Sequence, residues 1–291
     1  MKLACALFAT MLGMGCSMAP ATPGDPGPGT DPGTGSGSDP GTGTGSDPVP
    51  VPGSGPVTEV SGHITASTTW MDTIHITGDV VIDAGVTVTV AAGTVVNVTS
   101  PFGITVSGTL AIQGTKDSKV TFQPADVGTF WSHIVVPSGG ALTASYLVQT
   151  GSGLTTSNSG KITLVDTQLS HAGGDLLTMS GGTLDMSYSG IGLASGRDTT
   201  HCNMHVSGGV HLKVTHSNLS TAFFGLMFYG GVNADFTYDN WFGNNTDIDT
   251  EAAYPVTGDF SYSYFDKGAP TLSGVTTTNM ATALLTDAGP R

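Results

Sequence analysis

Between Ile74 and Pro124 the chain alternates apolar and polar residues in short runs: Val80 and Ile82; Val86, Val88 and Val90; Ile104 and Val106; Leu110 and Ile112; Val120 and Phe122. Glycines bound the runs at Gly78, Gly85, Gly93, Gly103, Gly108 and Gly114, and glycine turns a chain without a Cβ penalty. A period of two in β-branched residues predicts strands with one buried face. The runs also return, with 22 positions from Val88 to Leu110 and 24 from Val96 to Val120. A chain that comes back to one place every twenty-odd residues builds a solenoid, each rung burying its apolar side against the next.

The second half repeats more legibly. The segments Lys161 to Ser170, Thr183 to Gly192, His211 to Ser220, Asn233 to Phe242 and Thr257 to Asp266 align without gaps. Leu164, Met186, Val214, Phe236 and Phe260 form one predicted column, at spacings of 22, 28, 22 and 24. Leu169, Ile191, Leu219, Trp241 and Phe265 form a second. Between the columns run Thr167, Ser189, Ser217, Asp239 and Ser263, small polar residues suited to a hydrogen-bonded ladder of stacked side chains. The wider spacing before Val214 predicts a longer loop around Gly196 to Asn203. Val57 to Trp70 is expected to cover the open first rung, where backbone and apolar groups have no neighbour. The tail after Gly268 is expected to cap the last rung, with a helical turn starting at Asn279.

The early pattern resembles a known one. Trp70, Gly78-Asp79-Val80, Gly85 to Val90, Gly93 to Val98, Gly108 to Thr115, Val120 to Phe122 and Trp131 to Val136 resemble the opening of bacterial right-handed parallel β-helix repeat proteins, the pectate-lyase-like superfold. The resemblance covers roughly Val57 to Pro137, and the remainder only as a repeat pattern. It implies an all-β, single-stranded right-handed parallel β-helix of about eight or nine rungs. Enzymes, adhesins and inert scaffolds share that fold, so the resemblance implies no activity.

Composition sharpens the class. Charged residues are 10% of the chain and 43 of its 291 residues are glycine, which fits stacked β-rungs with small residues at the corners. The net charge of −14, with only eight Lys and Arg, argues against a nucleic-acid partner and against charge-driven docking on anionic membrane. Residues 1–16 combine a lysine, an apolar core and small residues before Cys16, a secretory signal too short to span a bilayer. Its end, Leu12-Gly13-Met14-Gly15-Cys16, resembles a bacterial lipobox. That resemblance implies lipidation of Cys16, with Ser17 directing the protein on to the outer membrane; ordinary cleavage and secretion is the alternative. Residues 17–56 repeat Asp, Pro, Gly, Thr and Ser with almost no apolar side chains and are expected to stay disordered as a tether. The predicted organisation is therefore signal 1–16, linker 17–56, β-helix 57–268 and C-terminal cap or tail 269–291.

Candidate chemistry is sparse. Lyases of the resembled fold need a Lys or Arg base and a carboxylate cluster holding calcium, whereas Lys116, Lys119, Lys161, Arg197, Lys213 and Lys267 show no such pairing in the sequence. Asn245-Thr246-Asp247 resembles one short motif of the polygalacturonases, whose double Asp, Gly-His-Gly and Arg-x-Lys signatures have no counterpart. Asp247, Asp249 and Glu251 alternate along one extended segment, and carboxylates sharing a face suit calcium. His201, Cys202, His205, His211 and His216 cluster in sequence but spread over a strand and its turn, an arrangement read as structural rather than as a zinc site. Lone Cys202 reads as a small buried hydrophobe. Tyr188, His216, Tyr238 and Tyr262 fall one rung apart beside the polar ladder, either a binding strip for sugars or proteins or a packed corner. The expectation is a non-catalytic, surface-tethered scaffold or adhesin touching polysaccharide or another envelope component. A polysaccharide-cleaving lyase or glycoside hydrolase is the alternative, and a calcium-dependent module a third.

Overall fold

A computed structural model describes residues 53–229, 231–250 and 256–291. Cys16, the signal segment, residues 17–52 of the linker and Glu251 lie outside the described residues. The described chain is an all-β parallel β-helix. Each complete rung contributes strands to three faces, and the strands pair in parallel with those of the neighbouring rungs. Face 1 runs from Thr68–Trp70 through Thr87–Val90, Thr109–Gln113, Ala141–Ser145, 161–165, 183–187, Val210–Thr215 and Val232–Thr237 to Val256–Asp259. Face 2 follows after a corner of one to six residues, and includes Val95–Val98, Val120–Pro124, Leu147–Thr150, Gln168–Ser170, Asn218–Ser220 and Asn240–Phe242. Face 3 includes Ile104–Val106, Ile134–Val136, Cys202–Ser207, Phe224–Tyr229 and Thr246–Thr250.

The two predicted columns are the core. Leu164 pairs with Met186, Met186 with Val214 and Val214 with Phe236, and the Phe236 and Phe260 rings stack at 5.0 Å. Leu169, Ile191, Leu219, Trp241 and Phe265 pair in the same order. All are buried, and each such side chain contributes about 1.5–3 kcal/mol on leaving water. Val88 pairs with Leu110 as expected. Val96 pairs with Phe122 rather than Val120. The longer corner at 114–119 slips the register by two, which keeps the same side chains inward because the pleat repeats every two residues.

Between the columns the polar ladder closes rung on rung. Thr167 N–H donates to Ser189 Oγ at 3.1 Å, Ser189 N–H to Ser217 Oγ at 3.1 Å, Ser217 N–H to Asp239 Oδ1 at 2.7 Å and Asp239 N–H to Ser263 Oγ at 3.0 Å. This satisfies corner amides that no strand pairs. At the opposite corner, from face 3 back to face 1, backbones approach too closely for a side chain. A Cβ on Gly140 would lie 1.9 Å from the Val106 carbonyl, and one on Gly160 2.1 Å from that of Val136.

Val57–Ile64 lies as a strand along Thr73–Ile82 and covers that edge. Two segments differ from expectation. The long loop spans 192–201, and the strand resumes at Cys202. No helix starts at Asn279, which has φ of +53°. The tail instead bonds back onto earlier rungs: Ala281 N–H to Ser263 O, Leu285 N–H to Asn240 Oδ1 and Gly289 N–H to His216 O. Backbone groups satisfied by the rungs have no need of an intrahelical ladder.

Candidate functional site

The corner between faces 1 and 2 holds the predicted aromatic strip. Tyr188, His216, Tyr238 and Tyr262 occupy equivalent positions, each with positive φ between 46° and 61°. For a bulky L-residue that conformation costs roughly 1–2 kcal/mol. Stacking offsets it: ring centroids stand 4.9, 5.0 and 4.8 Å apart down the column, with interplanar angles of 25°, 7° and 5°, and aromatic pairs contribute about 0.5–1.5 kcal/mol each beyond burial. The ring faces therefore meet one another, leaving edges toward solvent; Tyr238 and Tyr262 are about 40% exposed.

Two residues that the periodicity did not single out complete this corner. Asp166 holds the equivalent position one rung before Tyr188, at φ of 51°. Arg291 lays its guanidinium 3.7 Å from the Tyr188 ring centroid and donates from Nε and Nη2 to the Asp166 carboxylate at 2.8 and 2.9 Å. That fork, opposed by burial, holds Asp166 below the usual carboxylate range. The tail thus runs along the strip from Thr278, beside Tyr262, to Arg291 beside Tyr188.

Face 1 carries the outward row beside this corner. Lys161, Thr163, Thr183, Asp185, His211, Lys213, Asn233 and Asp235 line a shallow depression of about 400 Å³. Register puts Thr163, Asp185, Lys213 and Asp235 in one line along the rod, and Lys161, Thr183, His211 and Asn233 in another.

On face 3, Asp247 and Asp249 lie two apart on Thr246–Thr250. Asp247 is buried, with Asn244 Nδ2 donating to its Oδ1 at 3.0 Å. Burial raises its pKa, partly opposed by that bond. Asn245, Thr246 and Asp247 thus stand at a corner where the Asp247 carboxylate is desolvated and Asp266 lies close enough to raise its pKa further.

The four histidines from His201 to His216 separate to three places. His211 sits in the face 1 row and His216 in the aromatic strip. His201, Cys202 and His205 instead meet Asp175 at the corner from face 2 to face 3, contrary to the spread that their spacing suggested. His201 Nδ1 stands 3.1 Å from Asp175 Oδ1, and His205 Nδ1 2.9 Å from Asp175 Oδ2. Cys202 Sγ lies 3.1 Å from the same His201 Nδ1. Burial pushes the Asp175 carboxyl up, but bonds from His205 and His201 outweigh it and hold the group below its ordinary range. Cys202 is buried as expected, and its sulfur lies between the His201 ring and the buried Met227 thioether. Asp175 carries no motif in the sequence; only the rung register, which pairs Leu177 with Met204, would have placed it beside Cys202. Compared with known proteins, the chain matches no family model, no curated protein and no solved structure.

Proposed function

We propose that this protein is a non-catalytic rod of the cell surface, an envelope scaffold or adhesin that holds polysaccharide or another envelope component. In this reading, the 17–56 linker carries the β-helix away from a lipid on Cys16 at the outer membrane, with secretion as the alternative. The 40 tether residues at random-coil dimensions reach roughly 30–40 Å.

The observation that carries the binding role is the outward row of face 1. It offers ammonium, carboxylate, amide, imidazole and hydroxyl groups in register, repeated every rung at about 4.8 Å. Donors and acceptors fixed on a rigid ladder suit the hydroxyls of an extended polymer, because little side-chain freedom is lost on binding. The exposed edges of Tyr238 and Tyr262 flank the same face and extend it with phenol hydroxyls.

A polysaccharide array probed with the protein, scored for retention and for release of reducing or unsaturated ends, tests the reading. Retention without release, weakened by Lys213→Ala or Asp235→Ala, is the expected result. Release of sugar ends would overturn it in favour of a lyase or glycoside hydrolase. Retention abolished by a calcium chelator would instead assign the binding to a cation held at Asp247 and Asp249.

A further inference from the structure

Where the loop 192–201 rejoins the coil, donor atoms of three chemical kinds converge at the edge of the apolar interior. Asp175 Oδ1, His201 Nδ1 and Cys202 Sγ all lie within 4.8 Å of one another. We propose that Asp175, His201 and Cys202 bind a transition-metal ion of the zinc class, with His205 as a positioning residue behind the carboxylate.

The geometry separates this from two other uses of the same residues. A nucleophilic Cys–His–Asp relay needs the imidazole to receive the nucleophile's proton on one ring nitrogen and meet the carboxylate on the other. Here both Sγ and Oδ1 approach the single atom Nδ1, at 3.1 Å each, which is convergence on a point and not a relay. A purely structural hydrogen-bonded corner would need only Asp175, whose Oδ1 already accepts the Cys202 N–H at 3.1 Å. The imidazole and the thiol added around that oxygen have the donor types of a metal cradle.

Zinc-class ions take sulfur at about 2.3 Å and imidazole nitrogen at about 2.0–2.1 Å. Donors around a tetrahedral ion then stand roughly 3.3–3.6 Å apart by that geometry, so Sγ and Nδ1 need to part by only a few tenths of an ångström. Thiolate and imidazole select such ions over calcium or magnesium. The Met227 thioether, 3.0 Å from Sγ, keeps the buried side of the sulfur soft. His205, on the second carboxylate oxygen at 2.9 Å, fixes the direction of Asp175 as an outer partner does for a metal-bound carboxylate. The His201 side chain is 44% exposed, so the site opens to solvent and leaves a fourth position for water. Binding releases the Cys202 thiol proton to solvent, because the ligand is the thiolate.

The test is titration of the full, chelator-stripped chain with Co²⁺, followed by displacement with Zn²⁺. One equivalent of Co²⁺ is expected to bind with a thiolate-to-cobalt charge-transfer band that Zn²⁺ removes. Cys202→Ser is expected to abolish the band. His205→Gln is expected to keep the band while weakening affinity about 10–100-fold, the usual cost of an outer partner. His63→Gln, on the first strand beside Asp83, is expected to leave the Co²⁺ titration unchanged. Absence of the band in the wild type overturns the proposal, as does a band persisting in Cys202→Ser, which would trace to Cys5 or Cys16. If Cys202→Ser fails to fold, His201→Ala at the exposed ligand decides: loss of Co²⁺ binding with an unchanged thermal melt supports the site, and undiminished binding overturns it.

Discussion

Replacing Asp239 by Ser is expected to stabilise the rod at neutral pH. The other rungs of the ladder use a hydroxyl at this position, which accepts the neighbouring amide and donates to a carbonyl, as Ser217 Oγ does to Thr215 O at 3.0 Å and Ser189 Oγ to Ser187 O at 2.9 Å. Asp239 is fully buried and accepts the Ser217 amide on Oδ1 at 2.7 Å. Its Oδ2 has no hydrogen-bond partner. Burial pushes the pKa well above 3.8, against the smaller opposing effect of the Ser217 bond. A buried polar group left unsatisfied costs about 1–3 kcal/mol, and Ser removes that cost while keeping the ladder. At ~2–4 °C per kcal/mol for a domain of this size, the melting temperature should rise by roughly 2–12 °C. The sign with pH follows from the raised folded-state pKa. The contribution of a protonated Asp239 is fully present below the unfolded value of 3.8 and is lost as pH rises through the folded value. The gap between variant and wild type should therefore be smallest in acid and widest at neutral pH. Asp239→Asn, which keeps the volume and stays uncharged, should share the pH trend. Thermal melts by circular dichroism across that range read both. If both variants melt at or below wild type at neutral pH, the buried carboxyl is no liability and the reasoning fails.

Tyr238→Ala removes two ring contacts, at 5.0 and 4.8 Å, and should cost about 1–3 kcal/mol in thermal melts. Tyr238→Gly should cost less than Ala, because glycine meets no penalty at the φ of +61° found there; the reverse order would show that the backbone at this corner carries no strain for stacking to offset. Arg291→Ala should speed hydrogen exchange at the Leu285 and Gly289 amides, which the tail bonds to Asn240 and His216. The same change should blunt acid destabilisation. Asp166, held low by Arg291, contributes stability above its unfolded pKa that is lost as pH falls through the folded one. Unchanged exchange in that variant would mean the tail docks without its terminal arginine.

Much of the rod was legible in the sequence because a parallel β-helix is close to one-dimensional. Each rung meets only its neighbours, so an apolar residue recurring after one coil's length names its own partner. Leu164, Met186, Val214 and Phe236 needed only alignment to be placed, and so did Thr167, Ser189, Ser217 and Asp239 in the polar ladder. Where corners change length the same argument slips, as it did by two residues at Phe122. Gln149 shows a different limit. It stands in the interior column between Phe122 and Leu169, where its amide donates to Ser152 O at 3.1 Å, and no apolar periodicity can announce a polar residue there.

What only the tertiary structure decided lies off the repeat. Arg291 reaches Asp166 across 125 positions, a contact made by a tail whose path no rung period describes. Asp175 finds His201, Cys202 and His205 because a loop outside the period returns them to the previous rung. Repetition along the chain encodes which residues stack, since stacking is local from rung to rung. Convergence of unlike donor atoms at a corner depends on where irregular segments end, and that is set by packing in three dimensions.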